Sequence, residues 1–589
     1  MSRRACLAGA ALSLAVFVVA GSWGPDRTVW APLGGVTADD PRLAAVVRAL
    51  PGWREALRSS REVVDVVGLV PDEAAFLEAL TTWSPRSWFP ILIEDPELVL
   101  RFLRAFRPAR IVRWPTIASG GEARDRRSAI LAALEGAWDR AERYESDAIR
   151  AVSPEGATGP GIVLISERSP AWCGGVALAA GRRQPLVVWD CEQPPEAVLS
   201  LAEALDLCAE IAQILEQVAG PQLGLGDRAD FVTLATQAPD RYQIPSGDKA
   251  GEAALDDLLG RSPLTLERLA YTGRLIGPPP RAVYQAMASL FLLPESALLF
   301  NTYPERTPPW DAYRMDEAAG RLGAILPTRL VQGRRADWAE WHRVFDPVNA
   351  SGLVFINSSG GPDQFRLRGG RGRTADIPLS VPAAVLAIHS FSAARPEDEK
   401  TLAGRWLANG AFVYFGAMNE PYLAAFRTPG LVAELLAAGA PWAAAVCKLM
   451  VEDATGSPWR LRVLGDPLYQ IYRDPEPGRR DWLSTLDALE VLAVSGPDRR
   501  EPSLMLRRCR DRAYLDAAAG RDGSGWAEHL AAIDRVVLDP RDRSLYDALL
   551  ADQVARGALL DQARRVPEAE RAPALRRALE AVTARPERP

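Results

Sequence analysis

A succession of short, wholly apolar segments, separated by helical spacing and polar turns, runs through this chain and narrows its possible folds. The clearest example is Val381 to Phe426, VPAAVLAIHSFSAARPEDEKTLAGRWLANGAFVYFGAMNEPYLAAF. Ala383 to Ile388 is unbroken apolar sequence, as in a strand buried on both faces. It ends abruptly in His389, Ser390 and Ser392. Leu402 to Leu407 carries helical apolar spacing, and Asn409-Gly410 closes it as a helix C-cap. Ala411 to Phe415 is a second buried strand, followed by Asn419-Glu420-Pro421. Two strands joined by a helix are expected to be parallel, with a right-handed crossover. Ligands of open parallel sheets bind beyond the carboxyl ends of the strands. That rule singles out His389, Ser390, Asn419 and Glu420.

The same grammar recurs along the chain. Glu62 to Val70, Phe89 to Glu94 and Ala109 to Trp114 read as strands, with helices between them; Pro71-Asp72-Glu73 opens the first of these helices. Gly161 to Ser166 and Gln184 to Asp190 are strands around an alanine-rich helix from Ala171 to Gly181. The two units share a layout of strand, polar turn, alanine-rich helix and proline-entered strand. This reads as a weak internal duplication, similar in layout to bacterial cell-wall-binding repeats. Arg124 to Val152 reads as mostly a charged amphipathic helix, Ala197 to Val218 as another helix, and Asp230 to Thr236 as a strand. Gln237 to Arg261, rich in Asp, Gly and Pro, reads as loop or linker near a domain boundary. Ala282 to Leu293 is a helix, and Ala297 to Asn301 and Gly352 to Ile356 are strands. The second of these ends in Asn357-Ser358-Ser359-Gly360-Gly361. Thr302 to Tyr313 is a proline-aromatic loop, of a kind that covers a core edge or binds a ligand. Gly369 to Arg373 reads as a flexible basic loop without the lysine or helix of a phosphate loop. Val432 to Met450 is an alanine-rich helix, and Trp459 to Leu464 a strand closed by Gly465-Asp466-Pro467-Leu468-Tyr469.

At 589 residues the chain exceeds one core. The expected organisation is a signal segment over 1–21, an N-terminal parallel-sheet domain over 22–245, a second α/β domain over 246–475 and an α-helical tail over 476–589. Arg3-Arg4, an apolar run from Cys6 to Ala20 and small residues at Val19-Ala20-Gly21 carry the export expectation. No other stretch approaches a membrane-spanning length. The net charge of −6 gives no basic excess for nucleic acid. Six cysteines, sparsely spaced, and three histidines point to neither a disulfide scaffold nor a metal centre. No cofactor is expected.

Residues from about Tyr271 to Tyr472 resemble the gingipain-type branch of the caspase-like cysteine peptidases. The resemblance rests on Gly273-Arg274, on the strand ending in Gly360-Gly361, on the strand Ala383 to Ser392 with its following helix and Asn409-Gly410-Ala411, and on Gly465-Asp466-Pro467-Leu468-Tyr469. It implies a caspase-like sheet. It also implies a histidine-glycine pair after the first of these strands and an alanine-cysteine pair after the next, as general base and nucleophile. This chain has Ser359-Gly360 at the first place and Ser390 or Phe391 at the second. A thiolate mechanism needs its thiol beside its base. The expectation is therefore an exported, catalytically inactive peptidase homologue that binds or scaffolds a protein or cell-envelope component. Two alternatives stay open. One is a hydrolase using Ser390, His389 and Glu420; the other is a cell-envelope binding protein acting through the N-terminal duplication. The expected binding residues are Ser359, Gly360, Asn419 and Asp466. Each of these residues also has a local reading: strand-end hydrogen bonding for His389, turn capping for Ser390, a helix start for Glu420 and turn formation for Asp466.

Overall fold

The computed structural model describes residues 43–472, apart from 60, 109, 115–125, 139, 146–149, 156–158, 221–222, 245–249, 305, 346–351, 379–381 and 450–456, together with the main chain of 479–480. The expected signal segment and helical tail lie outside the described residues.

The chain begins with α1 (Ala44–Ala56), β1 (Glu62–Val64), β2 (Val66–Val70), α2 (Glu73–Leu80), β3 (Ser87–Trp88), β4 (Ile91–Ile93), α3 (Leu98–Phe106) and β5 (Arg110–Arg113). Strands β4, β2 and β5 form a three-stranded parallel sheet in that order, as strand-helix alternation requires. Asp72 caps α2, accepting from the Ala75 amide at 2.9 Å.

Next come α4 (Arg126–Trp138), β6 (Ala141–Glu145), β7 (Arg150–Pro154), β8 (Gly161–Ile165), α5 (Trp172–Arg182), β9 (Leu186–Val188), β10 (Val198–Ser200), α6 (Leu201–Ala219) and β11 (Phe231–Ala235). They are followed by β12 (Arg241–Ile244), β13 (Gly251–Ala254), α7 (Leu255–Leu259), β14 (Tyr271–Arg274), α8 (Pro279–Phe291), β15 (Ala297–Asn301), α9 (Asp316–Gly323), β16 (Thr328–Gln332) and α10 (Trp338–Val344). The last part comprises β17 (Leu353–Asn357), β18 (Gly360–Gly361), β19 (Gln364–Leu367), β20 (Gly370–Arg373), β21 (Ala383–Ile388), α11 (Leu402–Ala408), β22 (Ala411–Ala417), α12 (Pro429–Ala437), α13 (Trp442–Val446), β23 (Leu461–Leu464) and β24 (Arg479–Arg480).

A 12-stranded sheet in the order β16-β15-β17-β21-β22-β23-β14-β11-β8-β9-β7-β6 dominates the molecule. The fold is α/β, as the alternation predicts. β17, β21 and β22 are neighbouring parallel strands, and their uniform burial is what wholly apolar strands require. The sheet contains two parallel blocks. One runs from β16 to β22 and the other from β23 to β9; they meet where β22 and β23 pair antiparallel. Hydrogen bonding is continuous across residue 245, because β11 pairs with β14.

The two N-terminal strand-helix-strand units both form parallel pairs, β2 with β4 and β8 with β9, but in different sheets. Four segments differ from expectation. Within Arg124 to Val152 the described residues form the helix α4, Arg126–Trp138, and then the antiparallel strands β6 and β7. Gln237 to Arg261 is not simply loop or linker: its described residues include β12, β13 and α7, packed over the sheet face where their apolar side chains find a core. Val432 to Met450 is two helices, interrupted at Gly439, whose φ is +84°. Gly369 to Arg373 is largely the strand β20, paired antiparallel to β19.

Candidate active site

The first parallel block brings Ser359, His389 and Asn419 to one edge, beyond the carboxyl ends of β17, β21 and β22. Strand order reverses between β15 and β17, so a crevice is expected there. It is filled. The Tyr303 hydroxyl lies 2.7 Å from the Ser358 carbonyl and 2.9 Å from the Ile388 carbonyl, so it bridges two strand ends. Burial pushes this phenol far above its ordinary pKa and keeps it a donor. Asn357 is fully buried and donates to the Tyr313 carbonyl at 2.6 Å. The proline-aromatic loop thus covers the edge of the core.

His389 is 2% exposed. Its Nδ1 donates to the Ser390 carbonyl at 2.6 Å, so the ring addresses the main chain of Ser390 and not its hydroxyl. Nε2 faces Gly360 and Gln364. A Cβ on Gly360 would lie 3.0 Å from Nε2 and 2.2 Å from the Gln364 carbonyl oxygen. Glycine is therefore required for the hairpin to lie on the imidazole. Burial lowers the His389 pKa to about 4, opposed by the carbonyls of Ser390 and Gln364. The ring is neutral at pH 7. Directly after Ser390, Phe391 is held at φ +60°, which turns the chain sharply away from the strand; such a conformation is uncommon for a non-glycine residue.

The other expected residues are held by local bonds. The Asn419 side chain donates to the Glu252 carbonyl at 3.0 Å and accepts from the Glu420 amide at 2.8 Å. A Glu420 carboxylate oxygen accepts from the Tyr422 amide at 3.0 Å, which makes it a turn-forming group. Ser359 and Gly360 are exposed on the turn into β18. Asp466 is not at this edge. β23 runs antiparallel to β22, so the chain leaves it beside Phe412 at the start of β22, where Gly465 packs on the Phe412 carbonyl. There Asp466 is fully buried, 2.7 Å from Arg182 and 2.7 Å from the Ser289 hydroxyl.

The aromatic loop was legible in sequence as a cover for a core edge, but the particular role of Tyr303 was not; a second covering element was missed altogether. The segment Asp240 to Asp257 also reaches this edge, through Asn419–Glu252 and through Arg241, which donates to the Ala394 carbonyl at 3.0 Å. Arg462 anchors it to the sheet through Asp240 at 2.7 Å and Asp256 at 3.0 Å. Burial would raise the Asp240 pKa, but Arg462 and Arg241 hold it well below the usual carboxylate range. The Asp, Gly and Pro content of this segment suggested loop or linker, because its partner Arg462 lies more than two hundred residues beyond Asp240.

The free thiols among the described residues are Cys173, Cys191, Cys208 and Cys447. None is on a loop following β17, β21 or β22. Burial raises all four pKa values, to about 11 for Cys208 and Cys447, so none is a ready thiolate. Among the described residues, no group of three or more His, Cys, Asp or Glu side chains could hold a metal ion, and no helix is long and apolar enough to cross a membrane.

No family model matches this chain, and no curated protein does. Among solved structures, one described as "Structure of Protease" aligns with a TM-score of 0.38 at 10% identity, over 53% of this chain and 79% of that chain.

Proposed function

We propose that this is an exported, caspase-fold homologue of gingipain-type peptidases that has lost catalysis and serves in binding or scaffolding. The observation that carries the reading is the state of His389. The one histidine at the strand ends is buried, neutral and bonded through Nδ1 to a main-chain carbonyl. A general base must reach the proton it abstracts, and here neither a serine hydroxyl nor a thiol is its hydrogen-bond partner. The Tyr303 hydroxyl, which bridges the Ser358 and Ile388 carbonyls at the ends of β17 and β21, supports the same reading over the Ser390 hydrolase. Placement of the two N-terminal units in different sheets gives no shared groove to support a duplicated envelope-binding site.

The test is hydrolysis of Arg, Lys and Asp peptide substrates, before and after thiol alkylation. No turnover is expected. Alkylation-sensitive turnover would overturn the reading. Turnover that resists alkylation but disappears in Ser390→Ala would establish the serine hydrolase instead. Export is tested separately: the native protein is expected to begin near Ser22, and an intact Met1 on a cytoplasmic protein would refute it.

A further inference from the structure

The antiparallel meander β18-β19-β20 projects from the candidate edge and carries a charge pattern that its own stability does not explain. Phe365 and Leu367 point inward, and Phe365 packs on Trp341 with ring centroids 4.5 Å apart. Gly372 lies flat on the Phe365 ring, where a Cβ would come within 2.2 Å of it. The opposite face is arginine. Arg366 and Arg371 are direct cross-strand partners, and Arg373 pairs with Gln364. Like charges directly opposed across a strand pair are destabilising. Arg368 follows at the turn. Its amide donates to the Ala336 carbonyl at 2.9 Å, which brings Arg334 and Arg335 alongside.

All six arginines are exposed, and none is ion-paired with a carboxylate among the described residues. Arg371 has only the Gln364 side-chain oxygen, at 3.2 Å. The neighbouring carboxylates are engaged elsewhere. Glu340 holds Arg329 and Arg343, Asp376 holds His342 and the Arg373 amide, and Asp337 caps α10. Asp363, in the β18–β19 turn, pairs with none of the six. A patch of this charge stands on a chain whose net charge is −6.

From the opposed pair Arg366–Arg371 and the four unpaired arginines around it, we infer that this face is a docking surface for an acidic segment of a protein partner. The inference rests on the binding role proposed above and names the chemistry of the partner. Guanidinium groups match carboxylates bidentately, and a bound carboxylate between Arg366 and Arg371 would convert their repulsion into attraction. The short span of the patch and the net negative charge beyond it fit a brief run of Asp and Glu better than a long polyanion.

The experiment uses the full chain and a fluorescent peptide of consecutive glutamates, followed by anisotropy. A glutamine peptide, single-stranded DNA of equal charge and phosphatidylglycerol vesicles serve as competitors. Saturable, salt-weakened binding of the glutamate peptide is expected, at least about tenfold weaker in Arg366→Gln/Arg371→Gln. The melting temperature of that variant is expected to be unchanged or raised, as relief of like-charge opposition requires. Arg334→Gln/Arg335→Gln, outside the meander, is expected to weaken binding as well and keeps the test independent of hairpin folding. Equal binding of the glutamate and glutamine peptides, no effect of either variant, or DNA or vesicles competing as well as the glutamate peptide would each overturn the proposal. Cleavage of the bound peptide would overturn the inactive-homologue reading and leave the docking surface standing. Absence of both binding and cleavage would do the reverse.

Discussion

Arg182 and Asp466 form a buried ion pair at 2.7 Å between positions 284 residues apart, with side-chain exposures of 7% and 0%. The pair ties the last turn of α5 to the loop after β23, and Ser289 of α8 completes it. Removing one partner of a buried pair leaves an uncompensated charge, at a typical cost of about 3 kcal/mol or more. Asp466→Asn is expected to lower unfolding free energy by that order in chemical denaturation. Arg182→Met added to Asp466→Asn is expected to restore part of the loss, and strict additivity in the double-mutant cycle would show that the pair is not coupled.

His389 makes stability depend on acid. Its folded pKa of about 4 lies below the ordinary 6.5, so the unfolded chain takes up the proton first as pH falls. The contribution is intact above about pH 6.5 and is lost progressively down to about pH 4, by about 3 kcal/mol in all. His389→Gln is expected to show a shallower loss of stability over this window than the parent chain. Identical slopes for the two proteins would place the ring in solvent.

Gly360 and Tyr303 test the packing that closes the strand ends. Gly360→Ala forces a methyl against the Gln364 carbonyl and the His389 ring, with an expected loss of about 1–3 kcal/mol and a shifted His389 imidazole resonance. Tyr303→Phe removes the donor shared by the Ser358 and Ile388 carbonyls, with an expected loss of about 1–2 kcal/mol. Wild-type stability in both variants would mean that the edge is open to solvent.

The strands and the α/β class follow from local sequence pattern alone. β15, β17, β21 and β22 lie where unbroken apolar runs place them, because a strand buried on both faces needs apolar residues at every position. That pattern also determined that Ser359, His389 and Asn419 would share one edge, since parallel strands joined by crossovers end on the same side. The remaining features arose from long-range packing. The reversal at β22–β23 carried Asp466 away from that edge, and no local pattern encodes the direction of a four-residue strand. Asp240 and Asp256 became part of the packed structure because Arg462 and Arg274 supply their counter-charges from strands of the large sheet. His389 became a neutral, covered ring because Gly360 lets the β18–β19 hairpin lie on it. Burial, which sets both the pKa values and the availability of a side chain, is a property of the packed chain and not of the residue.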